Sequence, residues 1–207
     1  MDLKQIRDNS IESAKRLGVF VLPTLPLLDI GLEMRSADET FSRILAMNAV
    51  TAIAYGFDRA RAIAWLKQET LTDSLSEEEV HFVFEGVGQP ERFKVQVEGM
   101  WALTWAIGIV SELNFAKDCD NHFVLLLPNL KQNQSSSEFR NRINPRPIEQ
   151  VVAACDLAYC LHWAIRELEL HGKPSPDGFK AYRIIERRRA LDWFLSKKQW
   201  DEIPLDT

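Results

Sequence analysis

The sequence predicts a mainly α fold, a single-domain helical bundle of about seven helices with room for one or two short strands. Three observations predict it. Serine and aspartate capping signals stand before runs of apolar residues at helical spacing. Glycines and prolines punctuate those runs. The composition, 46% hydrophobic and 27% charged over 207 residues, is that of a globular chain able to bury roughly 70% of its unfolded surface. No internal repeat or low-complexity linker divides it, so residues 1–207 read as one domain.

The elements follow in order. Residues 2–17 form an amphipathic helix with Ile6, Ile11 and Leu17 on its apolar face, stopped at Gly18. Val19 to Leu32 is apolar but holds Pro23 and Pro26, so an extended, packed segment is expected. Ser36 and Glu39 make a capping box, opening a helix through Phe41, Ile44, Leu45, Asn48 and Ala52 to about Tyr55. Asp58 caps a shorter helix with Ile63, Trp65 and Leu66. Ser76 and Glu79 repeat the capping box before Val80, Phe82 and Val83, and the segment from Gly86 to Pro90 ends that helix.

Glu91 to Leu113 is the most apolar stretch and is expected as one central helix. His122 to Leu127 fits a short strand, although six residues do not separate strand from helix. Pro128 to Pro145 is polar, with three serines at its middle, and reads as a mobile loop more than a functional one. Pro147 opens a helix running to Leu170, stopped by Gly172 and Pro174. A last helix spans about Phe179 to Lys197.

Charge and cysteine content narrow the function. A net charge of −5 and a pI near 5.5 argue against nucleic acid as a partner. The run Arg187-Arg188-Arg189 stands among Glu186, Asp192, Asp201 and Glu202, so an ion-paired or solvated role is expected. Three cysteines without a framework suggest reduced thiols, and Met1 to Gln5 carries no leader-like apolar core. The longest apolar run, Met100 to Val110, is too short to span a bilayer, so no membrane role and a cytoplasmic location are expected.

The chemistry-bearing residues lie on the apolar helices. Glu98, Trp101, Ala102, Trp105 and Ile109 share one stripe. Asp156, Tyr159, Trp163, Arg166 and Leu170 share another, with His162 at its edge, and Glu186, Ala190 and Trp193 share a third. A carboxylate beside indole rings loses hydration, and His162 would titrate near neutrality. Glu98, Asp156, Tyr159, His162, Arg166, Glu186 and Arg187 are therefore the candidate polar cluster, with Trp101, Trp105, Trp163 and Trp193 as aromatic walls. Read functionally, the carboxylates and His162 move protons while Arg166 or Arg187 holds an anion. Read structurally, the set is a buried ion-pair network fixing helix register, and this second reading is favoured about three to one.

Cys119 and His122 have C-x-x-H spacing, and Cys160 with His162 adds a thiol and an imidazole. On a helix those last two face apart, so no metal is expected, and no cofactor motif stands in the sequence. The phosphate loop, the G-x-S-x-G elbow and H-E-x-x-H are absent, and Gly86-Val87-Gly88 is too short for a dinucleotide fingerprint.

Arg35-Ser36, Trp101 with residues 103–108, Cys119-Asp120, residues 156–159 with 162–166, residues 186–193 and the tail from Trp200 carry a family resemblance. Over residues 30–207 the chain resembles the bacterial domain of unknown function 4272, departing at Asp192 where asparagine is commoner. The resemblance implies a bacterial, intracellular, helical protein and brings no catalytic residues with it. A non-catalytic binding or interaction protein, of immunity or regulatory type, is the first expectation, with a protein partner. A small-molecule hydrolase using the Glu/Asp/His/Arg cluster is the alternative, and a structural homo-oligomer is a third; whether the chain is monomeric is left open.

Overall fold

The computed structural model describes residues 1–28, 34–176 and 178–207. Among these residues the chain is α-helical with short 3-10 turns and no strand. The 3–16 helix, α1 (Leu3–Arg16), is capped by Asp2, whose carboxylate accepts from the amides of Lys4 and Gln5. Val19 and Val21 then pack non-helically into the core, while Ile30 and Leu32 of the same apolar segment lie outside the described residues.

Helix α2 (Ala37–Ala54) opens at the Ser36–Glu39 capping box, and from Thr40 onward all of its residues but Ser42 and Ala52 are buried. Asp58 caps α3 (Arg59–Gln68). The Ser76–Glu79 box opens α4 (Glu77–Val80), which loosens into a π-helical turn over His81–Glu85 before Gly86, at φ 75°, ends it. Such a turn widens the ring by one residue and lets the chain leave the helix axis.

The expected helix from Glu91 to Leu113 is divided and shorter. It comprises α5 (Pro90–Lys94) and α6 (Gln96–Ala106), with Val95 between them. The stop at Gly108 is tertiary in origin. Gly108 adopts φ +78°, and a Cβ there would lie 1.8 Å from the carbonyl oxygen of Asn144. The amide of Asn144 in turn donates to Ile107 O at 2.9 Å, so a crossing by a segment distant in the chain replaces the next helical turn. Ile109 consequently leaves the stripe assigned to it.

His122 to Leu127 forms a 3-10 turn over Phe123–Leu126 rather than a strand. Its apolar side chains divide, with Phe123 buried and Val124 and Leu125 facing out, which a two-sided turn permits without a sheet. The segment read as a mobile loop is packed. It contains a 3-10 turn at Leu130–Gln132 and α7 (Ser137–Arg140), and it buries Leu130, Ser136 and Phe139. Ser136 Oγ donates to Glu69 Oε2 at 2.5 Å, and Trp65 Nε1 donates to Gln134 O at 2.9 Å, so its polar residues are tethers.

Helix α8 (Ile148–Leu170) has Pro147 at its N-cap, one position earlier than expected, and ends at Gly172 with φ +63°. Helix α9 (Ala181–Phe194) is shorter than expected at both ends. A 3-10 turn at Trp200–Glu202 closes the tail.

The helices pack in the spatial order α1, α8, α9, α6, α2, with α3 and α5 against the outer side of α2. One continuous apolar core runs from Ala14 to Ile203, and Trp65, Ile44, Leu45, Met47, Leu103 and Leu161 are fully enclosed in it. Burying each such side chain contributes about 1.5–3 kcal/mol. Among the described residues no helix is long and apolar enough to cross a membrane.

Candidate functional site

All the candidate polar residues but Arg166 divide among three buried networks, each bridging different helices. The first joins α1 to α8. Arg7, 2% exposed, donates through Nε and Nη2 to Asp156 at 2.7–3.2 Å and to the carbonyls of Leu25 and Pro26 at 2.8 and 2.9 Å. Tyr159 lies between this pair and the next, with Arg7 5.5 Å and Arg188 4.9 Å from its ring centre.

Arg188 extends this network across α9. Its Nη1 meets His162 Nδ1 at 2.7 Å, its Nε meets Asp192 at 3.2 Å, and its Nη2 donates to Asp206 O at 2.9 Å. A guanidinium has no acceptor, so Nδ1 of His162 must accept and the proton resides on Nε2. Burial, with the charges of Arg188 and then Arg166, lowers the His162 pKa to about 4, so the imidazole is neutral near pH 7. Cys155 Sγ donates to the other oxygen of Asp192 at 2.9 Å, and burial raises the pKa of both groups.

The second network joins α6 to α9. Arg187 donates to Glu98 Oε2 at 2.6 and 2.9 Å and to the carbonyls of Asn114 and Lys117. The amide of Cys119 donates to Glu98 Oε1, so both carboxylate oxygens are occupied. The third network joins α2, α4, α5 and α9. Arg43 grips Glu79 through two hydrogen bonds of 2.5 and 2.8 Å, and its guanidinium lies 4.2 Å from the Trp200 ring centre. Nearby, Glu186 meets Arg92 at 3.3 Å and Arg189 at 3.6 Å, and burial raises its pKa against those cations.

Arg166 joins none of these. It is half exposed at the end of α8 and pairs with Glu169 at 2.5 Å. The tryptophans also part company. Trp101 meets Phe123 edge to face, Trp105 carries Arg146 over its ring, and Trp193 lies between Arg35 and Trp200. Trp163 is half-buried against the core. The arginine triplet is ion-paired rather than solvated, because helical advance sends its members to different neighbours.

The sequence reading missed Arg7, Arg43, Glu79 and Arg188 as members of these networks. Arg7 shares the buried stripe of α1 with Ser10 and Ala14, so the same helical spacing could have singled it out. Glu79 was recognised only as a capping residue; its carboxylate also serves the Ser76 amide at 3.0 Å. Among the described residues no group of three or more His, Cys, Asp or Glu side chains is arranged to hold a metal.

A large opening lies elsewhere, between the C-terminal end of α2, the turn at Gly56–Asp58 and residues 124–134. It encloses about 770 Å³. Its walls are mostly apolar, and Tyr55, Val124 and Leu125 stand on its rim 67%, 64% and 74% exposed. Asn48, 5% exposed, holds its floor by donating to Pro128 O at 3.3 Å. Arg61 closes one end through Lys131 O at 2.7 Å.

The family model described as "Domain of unknown function (DUF4272)" matches residues 7–203. The chain belongs to this family. No curated protein and no solved structure matches it. In this DUF4272 chain the matched span runs from Arg7 of the first network to Ile203, which is buried beside the tail.

One further property of the DUF4272 core is energetic. Arg43 Nε, Gln96 Oε1, Glu186 Oε2, Arg189 Nε, Ser196 Oγ, Trp200 Nε1 and Asp201 Oδ1 are buried with no hydrogen-bond partner among the described residues. An unmet buried polar atom costs roughly 1–3 kcal/mol.

Proposed function

We propose that this protein is a non-catalytic, cytoplasmic binding protein that takes an apolar segment of a partner protein into the groove between α2 and residues 124–134. The observation that carries this reading is the exposed apolar rim of Tyr55, Val124 and Leu125 beside a cavity of about 770 Å³. Exposed aromatic and aliphatic side chains around a concave surface are where protein partners gain affinity. The acid–base groups support the same reading. Both oxygens of Glu98 and of Asp156 are engaged by arginines or an amide, and His162 is held by Arg188. A hydrolase would need at least one of them open to substrate, and Glu186, whose Oε2 has no hydrogen-bond partner, is only 3% exposed.

The test is site-specific photo-crosslinking in the native host. A photoreactive residue replaces Leu125 in one variant and Leu170, equally exposed at the far end of α8, in another. A discrete adduct with one protein at position 125, absent at 170 and abolished by adding Tyr55→Glu, supports the proposal. Equal adduct patterns at the two positions overturn it.

A further inference from the structure

The groove between α2 and residues 124–134 carries charge as well as apolar surface. Among the described residues lining it, Arg61 and Lys131 are cationic and Asp58 is the one carboxylate. Asp58 is already committed, since its Oδ1 accepts from the Arg61 amide at 2.8 Å and caps α3. The Arg61 guanidinium lies 5.4 Å from the Phe57 ring centre and donates through Nη2 to Lys131 O at 2.7 Å. Those two contacts hold it at the mouth, against the backbone of the second cation. A guanidinium has five N–H donors, and among the described residues this one spends a single donor. Neither Arg61 nor Lys131 meets a carboxylate among those residues, whereas Arg7, Arg43 and Arg187 are each clasped by one. Lys94, 5.6 Å from the Tyr55 ring centre, adds little charge at that end, because Glu91 takes it at 2.9 Å.

We propose that the segment taken into this groove is acidic as well as apolar. Its large apolar side chains sit against Tyr55, Val124 and Leu125, and a flanking Asp or Glu of the partner meets Arg61 and Lys131. This deepens the binding reading above and rests on it. Two like charges brought together without a counter-charge repel, and an incoming carboxylate removes that repulsion. It also matches the planar fork of Arg61, which can receive both carboxylate oxygens at once. The contrast with the rest of the molecule supplies selectivity. The chain carries a net charge of −5, so an acidic segment is repelled by the protein as a whole and attracted at this mouth. A basic segment meets the reverse pattern, drawn to the acidic surface generally and rejected by Arg61 and Lys131.

The probe is a library of short random peptides displayed on phage, selected on the intact protein and counter-selected on Leu125→Gln. That substitution is neutral and falls on a side chain 74% exposed, so the fold should be unaffected. Peptides that need Leu125 should combine large apolar residues with Asp or Glu. Lys131→Gln should weaken a synthetic representative about two- to fivefold by fluorescence anisotropy, the effect of one exposed ion pair. Selection on the Arg61→Glu/Lys131→Glu double variant should turn to peptides bearing Lys or Arg. Peptides that need Leu125 but show no acidic excess over the starting library overturn this inference and leave the groove reading standing. An absence of peptides that need Leu125 overturns both. Sedimentation showing a dimer that Leu125→Gln dissociates would assign the groove to a second copy of the chain and overturn the acidic partner.

Discussion

Replacing Asp156 by leucine should be among the most damaging single changes in this protein, and adding Arg7→Met should recover much of the loss. Arg7 is 2% exposed and spends three of its hydrogen bonds on Asp156, leaving only the carbonyls of Leu25 and Pro26 as acceptors. Removing one partner of a buried ion pair strands the other charge, at a cost of about 3–5 kcal/mol. For a chain of this length that is a fall in Tm of roughly 6–20 °C. The double variant replaces the pair with two apolar side chains of similar volume, which is often neutral relative to the original pair. Urea denaturation of the four proteins closes the cycle, provided the m-values agree. A coupling of at least about 2 kcal/mol is expected, since contacting residues couple by up to about 3 kcal/mol. The reasoning fails if Asp156→Leu alone costs under about 1 kcal/mol, or if the double variant is as unstable as the two singles added together.

Three other outcomes are expected. His162 has its pKa lowered to about 4 in the fold against about 6.5 when unfolded, so the unfolded chain takes up the extra proton as pH falls between them. Its stability contribution is complete above pH 6.5 and is lost on acidification towards pH 4. That loss should be roughly 1–3 kcal/mol in urea titrations and absent in His162→Asn, which keeps an acceptor for Arg188. Gly108→Ala should cost well over about 2 kcal/mol, because φ +78° disfavours a side chain and Asn144 O occupies its space; a Tm within a few degrees of the parent would contradict this. Burial, then neighbouring carboxylates, raises the pKa of Cys119 and Cys160 to about 12 and that of Cys155 well above its usual value. Aromatic disulfide reagents should therefore label the native protein slowly and the unfolded protein promptly, and a fast native phase would show that burial does not protect these thiols.

Much of the fold was legible because helix starts are local chemistry. Ser36, Asp58 and Ser76 each satisfy amides within three residues, and the sequence shows both partners together. Gly172 stops α8 by the same local logic. What was not legible depends on residues far away in the chain. Gly108 ends α6 because Asn144 crosses it, and nothing within ten residues of Gly108 announces that crossing. Helical spacing found Glu98, Asp156 and Glu186 and gathered them with His162, Arg166 and Arg187 into one cluster. The structure pairs them instead with arginines 89, 149 and 94 residues away. The groove was hidden for a related reason. Its rim joins Tyr55 to Leu125, and the apolar run around Leu125 looked like a strand until the 3-10 turn divided it into inner and outer halves.

The order in which the networks can close has a consequence for the protein's synthesis. Glu98 emerges from the ribosome long before Arg187, and Arg7 long before Asp156, so each charge waits in solvent for a partner made later. Hydrophobic collapse of the early helices alone would trap those charges unpaired, which disfavours it. Pairing of Glu98 and of His162 requires α9, which engages α6, α8 and the tail together. A nascent chain halted before Arg187 should remain open to chaperones and proteases. The arginines of α9 are thus the last of these charges to be made, and Glu98 has no guanidinium partner until Arg187 has been translated.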